Sequence, residues 1–497
     1  MKESSVATLS EIVAPYPPAP DLTPSDVRDA AGAADTAPFF VVLDDDPTGT
    51  QSVSGLPVLT SWTQDDLAWA LGTGAQAVYV MTNSRSLSPQ DAERVTREVV
   101  GAAGAAARQA GRRLAFVSRS DSTLRGHFPL EPRLIADLLE EEGQPVDGVV
   151  LVPAFPEAGR VTVGGIHYTR VGEDFLPSGQ TEFARDATFG YTASGLAQWV
   201  EEKTAGVIRA SQVLTPDLTE VRTRPEALVQ ALASARNRQV IAPDIACEQD
   251  LLALSRALIA AEAQGRTFVY RVGPPFMRAR LGQEVHPPLT GQEVEEVRRP
   301  PAGGGHERTA AGGLVVVGSH VALTTRQLDD LIGAVGAPVL EVEVPKVLDE
   351  STRTAHLEEL IAQAVEHLEE GTVIVRTSRT LITGADAEES LDLSRRVSTA
   401  VVETVAGILE RIRPRFVLAK GGITSSDVAS RGLGIRRAQC VGPMLPGIVS
   451  LWAAHDGPAQ GVPYIVFPGN VGDETALTAV VRVLLGQDRQ GDENGAG

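Results

Sequence analysis

The sequence predicts an α/β protein of two domains, each with a mostly parallel sheet flanked by helices. Three observations predict it. Short runs of β-branched and aliphatic residues alternate with longer amphipathic stretches, the pattern of strands joined by helical crossovers. A chain of 497 residues exceeds what one ordinary core supports. Two such strand–helix series are separated by residues 287–313, which hold Pro300-Pro301, Gly303-Gly304-Gly305 and few apolar side chains. The expected division is an extension over 1–36, a first domain over 37–299, a linker over 300–313, a second domain over 314–487 and a disordered polar tail over 488–497.

Each element has its own signal. Thr23-Pro24-Ser25-Asp26 starts a helix with proline in its first turn. Strands follow over 39–43, 54–60 and 76–81. Ser88-Pro89 opens a helix that runs to about Ala110, and Gly111 ends it. A strand over 114–117, a helix over 129–142 and a strand over 148–152 continue the series. Residues 153–168 are polar and glycine-rich and read as a long functional loop. Strands over 207–208, 240–242 and 268–272, with a helix over 251–263, complete the first half. The second half shows strands over 314–317, 339–342, 372–375, 416–418 and 464–467, with helices over 324–335, 352–370 and 387–411.

The composition excludes several classes. A net charge of −20 argues against a nucleic-acid surface, which needs clustered Lys and Arg. A few local arginines can still make one cleft attractive to an anion. Cys247 and Cys440 form no CxxC pair or zinc framework and fit a reducing cytoplasm. No run of about 18 apolar residues exists to span a membrane, and residues 1–20 lack the layout of a signal peptide. A cytoplasmic protein is expected, with a homo-oligomer as a possible assembly.

The stretch Val41-Val42-Leu43-Asp44-Asp45-Asp46-Pro47-Thr48-Gly49-Thr50 organises the first half. An apolar strand runs straight into three carboxylates, and Pro47 and Gly49 stop it. Adjacent acids are costly to crowd unless water, a metal or a cation relieves them. In open α/β sheets, ligands bind beyond the carboxyl ends of the strands. Arg85, Arg119 and Arg125 each follow a strand, and a guanidinium fork matches a carboxylate with two parallel hydrogen bonds. His127 and His167 lie in nearby sequence and are assigned no catalysis, and no hydrolase triad is legible around Ser84 or Ser122. In the second half, Gly318-Ser319, Gly421-Gly422 and Gly469 to Gly472 each follow a strand, and glycine lets backbone amides approach an anion. The G-x-x-x-x-G-K-[ST] loop is absent, as is a G-x-G-x-x-G after the first strand, which argues against a dinucleotide-dependent oxidoreductase.

These residues resemble the four-carbon acid sugar kinases. Asp45-Asp46-Pro47-Thr48-Gly49 is similar to that family's D-D-x-T-G signature, Ser84-Arg85 to its S-R element, and Asp121-Ser122-Thr123-Leu124-Arg125-Gly126 to its D-S-T-L-R-G element. Pro153-Ala154-Phe155-Pro156, Gly159-Arg160 and Gly165-Ile166-His167-Tyr168 resemble its next block, and Gly421-Gly422, Thr424-Ser425 and Gly469-Asn470 its nucleotide-domain elements. Pro47, Arg119, Ser120, His127 and Ile423 depart from the usual family residues. The resemblance implies an ATP-dependent kinase of tetronates or 3-oxo-tetronates that phosphorylates the terminal hydroxyl. The acid sugar would bind the N-terminal domain, ATP the C-terminal domain, and the reaction would occur in the cleft between them. It places substrate contacts on Asp46, Thr48, Gly49, Ser84, Arg85, Arg119, Ser122 and Arg125. It places ATP contacts on Ser319, Gly421, Gly422, Ile423, Thr424, Gly469 and Gly472. Mg²⁺ is expected with the ATP, with no ligand residue specified. The base that orients or deprotonates the attacking hydroxyl is Asp45 or Asp121. A nucleotide- and metabolite-binding sensor without turnover is the rival reading, since it would keep both ligand sites and need no base.

Overall fold

The computed structural model describes residues 7–34, 37–298, 308–318, 321–378, 387–469 and 471–487. The chain divides into two compact units, Met1–Leu56 with Trp62–Val285, and Pro57–Ser61 with His286–Gly497.

The strands of the first half are β1 (Phe39–Asp44), β2 (Leu56–Leu59), β3 (Ala77–Met81), β4 (Leu114–Arg119), β5 (Gly148–Val152), β6 (Arg160–Val163), β7 (Ile166–Val171), β8 (Asp174–Pro177), β9 (Gln239–Ile241) and β10 (Phe268–Val272). The first unit's main sheet runs β3-β1-β4-β10-β5-β9 and is parallel throughout. All six residues of β1 and all five of β3, β5 and β10 are buried. That explains why these strands, Asp44 and Arg271 aside, read as apolar runs: a parallel sheet has both faces covered. The register sets Asp44 beside both Met81 and Arg119, and Val272 beside Arg119. The turns leaving β1, β3, β4 and β10 therefore share one edge of the sheet. The helix Pro89–Ala110 forms as expected, with the Ser88 side chain accepting the Asp91 amide and Gly111 ending it at φ 63°.

Two expectations in this half differ from the structure. Residues 207–208 are a bend rather than a strand, with Val207 83% exposed. The expected loop over 153–168 contains β6 and the start of β7, which form a small antiparallel sheet with β8. Gly164 and Gly165, both at positive φ, make the two-residue turn between β6 and β7. The Asp244 carboxylate fixes that turn by accepting both amides, at 2.6 and 2.8 Å.

The strands of the second half are β11 (Leu314–Val317), β12 (Val339–Val342), β13 (Val373–Thr377), β14 (Val417–Lys420), β15 (Arg437–Leu445), β16 (Val449–Ala454) and β17 (Pro463–Phe467). The order in the second unit is β12-β13-β11-β14-β17-β16-β15-β2. The first five are parallel, and the β15–β16 hairpin adds two antiparallel strands. That hairpin was absent from the sequence reading because Gly442 and Pro443 interrupt its pattern. The ladder absorbs them at irregularities between Cys440 and Gly442 and between Pro443 and Leu445.

The composition break also holds an unexpected element, the helix Gly291–Arg298. Thr290 and Glu293 form a capping box, Thr290 N to Glu293 Oε2 at 2.7 Å and Glu293 N to Thr290 Oγ1 at 3.3 Å. Leu289 and Val294 are buried in one cluster with Phe416, Leu418, Met444 and Leu484. The contact division therefore falls between Val285 and His286 rather than at 299/300. Residues 300–307 of the expected linker, and the tail over 488–497, lie outside the described residues.

Candidate active site

The turn after β1 is built around buried charge. Asp44 is fully buried and pairs with Arg119, which also donates to the Asp46 carbonyl at 2.9 Å. A Cβ on Gly49 would fall 1.7 Å from Asp44 Oδ2, so the turn closes over this carboxylate only because residue 49 has no side chain. Asp46 is committed as well: its carboxylate accepts the Thr48 amide at 2.9 Å and pairs with Arg85. Asp45 differs from both. It is 3% exposed, and neither of its oxygens receives a hydrogen bond. Arg119 Nη2 stands 3.4 Å from Asp45 Oδ1. Burial pushes the Asp45 carboxyl up to about 6, against the pull of Arg85 and Arg271.

The turn after β4 treats its aspartate the opposite way. Burial acts to raise Asp121, but Arg85 and Arg125 overcome it and hold the carboxyl down at about 2. Asp121 accepts Arg125 Nε at 2.7 Å and the Thr123 hydroxyl, with Arg85 Nη1 at 3.6 Å. Leu124 sits at φ 69°, sterically unfavourable for a bulky residue, and Gly126 at φ 116°. A Cβ on Gly126 would come 2.7 Å from Arg271 Nη2 and 3.1 Å from Asp45 Oδ2, so this turn lies directly against Asp45. The Ser122 carbonyl accepts His167 Nε2 at 2.8 Å, and Thr162 Oγ1 meets His167 Nδ1 at 3.0 Å. Burial drives His167 down to about 4, so the ring is neutral and braces the turn. Tyr191 donates to the Thr123 carbonyl at 2.7 Å.

Beneath these turns is a buried polar network that the sequence reading missed. Glu131 accepts the Ser84 hydroxyl at one oxygen, and at the other Ser118 Oγ at 2.6 Å and Arg271 Nη1 at 2.7 Å. His127 Nε2 lies 2.9 Å from the Ser84 carbonyl. The one available signal was Arg271 itself, a charge inside the otherwise apolar strand Phe268–Val272. The Ser84 hydroxyl is thus engaged by the protein. Asp45, Asp46, Thr48, Gly49, Ser84, Arg85, Arg119, Asp121, Ser122 and Arg125 all stand at this one sheet edge.

In the second unit the glycine turns also come together. A Cβ on Gly318 would lie 2.0 Å from Thr424 Oγ1, placing the turn after β11 against the one after β14. Gly421 has φ 126°, and its amide donates to the Phe467 carbonyl at 2.9 Å. Thr324 donates to the Gly469 carbonyl at 2.9 Å, and Gly472 has φ 77°. Gly422, Ile423 and Thr424 belong to the helix Gly422–Asp427. Lys420 is buried, its Nζ 3.1 Å from the Pro468 carbonyl and 4.1 Å from the Phe467 ring centroid, and burial pulls its ammonium down to about 7. Ser319 lies outside the described residues. Among the described residues no group of three His, Cys, Asp or Glu side chains is arranged for a metal ion, and no helix is long and apolar enough to cross a membrane.

A family model for a sugar-binding N-terminal domain matches residues 40–280, and one for a nucleotide-binding C-terminal domain matches residues 314–477. The chain belongs to the four-carbon acid sugar kinase family. Among curated members, the D-erythronate kinase of Heliobacterium modesticaldum is 26% identical over 432 residues, covering 83% of this chain and 88% of the relative. The 3-oxo-isoapionate kinase of Paraburkholderia graminis is 28% identical over 147 residues, 27% of this chain and 31% of that one. Solved structures share the fold. A Salmonella typhimurium LT2 protein provisionally named a tRNA synthase aligns with TM-score 0.63 at 19% identity, over 89% of this chain and 98% of the other. The Haemophilus influenzae protein HI1011 aligns with TM-score 0.59 at 18% identity, over 88% and 98%.

Proposed function

We propose that this member of the family is an ATP-dependent kinase that phosphorylates the terminal hydroxyl of a four-carbon sugar acid, a tetronate or 3-oxo-tetronate. The observation that supports it most is Asp45, a buried carboxylate without a hydrogen-bond donor at the edge of a parallel sheet, flanked by arginines. A carboxyl held near 6 is ionised at neutral pH and can accept a proton from an alcohol as the new bond forms. The substrate hydroxyl attacks the γ-phosphorus, its proton passes to Asp45, the bond between the γ-phosphorus and the bridging oxygen breaks, and ADP leaves. Asp121 is the poorer base, because two donors already occupy it and the Arg85 charge stands 3.6 Å away. It holds Arg85 and Arg125 in place. Arg119 is turned inward on Asp44 and keeps the acidic turn closed.

The glycine turns of the second unit suit a polyphosphate. Gly318 lets the Thr424 side chain, with its hydroxyl, pack against the turn after β11, and Gly421 at φ 126° holds a backbone conformation that suits glycine. Mg²⁺ would come with the nucleotide, bound by phosphate oxygens and water. It would supply charge neutralisation on the phosphates.

A coupled ADP-release assay across the stereoisomers of erythronate and threonate tests the function. ADP release that depends on one of these acids supports it. ADP or ATP binding with no acid-dependent turnover in any of them would overturn it in favour of a metabolite-binding sensor.

A further inference from the structure

A sugar acid brings a carboxylate that needs a counter-ion, and the arginines first read from the sequence are already neutralised. Arg119 is paired with Asp44, Arg85 with Asp46 and Asp121, and Arg125 with Asp121 and, at 3.7 Å, Asp186. Arg160 is different. It begins β6, where its backbone is held by Phe155 through bonds of 2.8 and 3.0 Å in the two directions. Its Nη1 donates to the Ala158 carbonyl, while its Nε is buried without a partner. Among the described residues no carboxylate lies within ion-pair distance of it. Its guanidinium carbon is 5.9 Å from the centre of the Phe183 ring, and that of Arg125 is 5.2 Å from the same ring. Burial lowers its pKa, Arg170 and Arg125 add to that, and only Asp121 opposes. Arg160 is half-buried, and a half-buried guanidinium with an enclosed, unpartnered Nε and no counter-ion gains most from an arriving anion.

Resting on the kinase reading above, we propose that Arg160 receives the carboxylate of the sugar acid, with Phe183 as the platform that holds it beside Arg125. Arg125 is then a second donor whose charge is shared with Asp121, and Arg160 sets the preference for an acid over a neutral polyol. Ser122, His167 and Thr162 support this subsite indirectly, since His167 ties the D-S-T-L-R-G turn to β6.

The test uses the full chain and the variants Arg160→Gln and Arg160→Lys. Steady-state ADP release is measured with the preferred erythronate or threonate isomer, together with nucleotide affinity and melting temperature. Arg160→Gln is expected to raise the KM of the acid roughly ten- to a hundredfold, the loss of a charge-assisted contact. The kcat, nucleotide affinity and melting temperature should hold. Arg160→Lys should recover part of the loss, because an ammonium keeps the charge without the fork. An unchanged KM in folded Arg160→Gln would overturn the assignment. So would a parallel fall in melting temperature and nucleotide affinity, which marks a brace of the fold. If no acid is turned over by the unaltered protein, the kinase reading fails separately. Calorimetric titration of the same acids into unaltered and Arg160→Gln protein then decides the subsite: weaker binding in the variant upholds it, and equal binding or none in either overturns it.

Discussion

The turn after β1 and the turn after β4 each bury an aspartate at the same sheet edge, and they tune it in opposite directions. Asp45 has no hydrogen-bond donor and is pushed up to about 6, whereas Asp121 is held by Arg125, Thr123 and Arg85 and lies at about 2. Asp45 is almost fully enclosed and the Asp121 side chain is 13% exposed, yet desolvation acts to raise both carboxyls, so it does not by itself give the opposite signs. What separates them is where the donors point. Arg119 spends its charge on Asp44 and leaves Asp45 short, while Arg125 folds back onto Asp121 four residues upstream. A sequence of acids and arginines therefore does not say which acid is the base.

The contrast can be broken most severely at Asp45. Asp45→Asn is expected to lower kcat by about 10²- to 10⁴-fold, the usual worth of a positioned base, while KM for the acid changes little. The same variant should be more stable than the original at neutral pH. A folded-state value raised from 3.8 to about 6 means that burying the charge costs stability of order 3 kcal/mol at pH 7. Loss of turnover with a higher melting temperature is a signature that a merely structural carboxylate would not give.

Asp121→Asn should do the reverse. It removes the anion that orders Arg85 and Arg125, so kcat/KM is expected to fall roughly ten- to a hundredfold through KM, at ~1.4 kcal/mol per decade. Its melting temperature should drop. Kinetics and calorimetric melting on the two variants side by side check the crossing pattern, and a lower melting temperature in both would erase the distinction.

Gly421→Ala limits the comparison to the first unit. A non-glycine residue at φ 126° carries strain of about 1–3 kcal/mol. Relieving that strain moves the backbone of the turn, so nucleotide affinity should weaken by about fivefold or more, with binding of the acid intact. Equal damage to acid binding, measured by titration calorimetry, would show that the two sites cannot be treated separately.

The two aspartates also part in the pH dependence of stability. Asp121 has a folded value below its ordinary one, so its contribution is full above about pH 4 and is lost as pH falls toward 2. Asp45 has a folded value above its ordinary one, so its contribution is full below about pH 4 and is lost as pH rises through 6. Comparing each Asn variant with the original across pH 2 to 8 by denaturant melts should place the two differences in these separate windows.

Much of this was legible in the chain. β5 and β11 announce themselves as unbroken apolar runs, and β1 and β10 as runs broken only by Asp44 and Arg271, because strands covered on both faces need no polar alternation. The acidic turn and the D-S-T-L-R-G turn were visible as polar stretches following such runs. Three things were hidden for physical reasons. The β15–β16 hairpin contains Gly442 and Pro443, which a regular strand excludes and a bulge tolerates. The helix Gly291–Arg298 buries few residues, so its periodicity is faint beside the proline and glycine around it. The network of Ser84, Ser118, Glu131 and Arg271 joins four distant positions, and only the tertiary register brings them together. The same is true of the pairing that sets Asp45 apart from Asp44 and Asp46, three neighbours of identical chemistry.

The most direct test of that difference is a ¹³C titration of the aspartate carboxyls in the full chain, with Asp45→Asn and Asp121→Asn for assignment. One carboxyl is expected to titrate near 6, to vanish in Asp45→Asn and to persist in Asp121→Asn. A carboxyl near 6 that disappears instead in Asp121→Asn, or an Asp45 that titrates at or below 3.8, would contradict the assignment of Asp45 as the base.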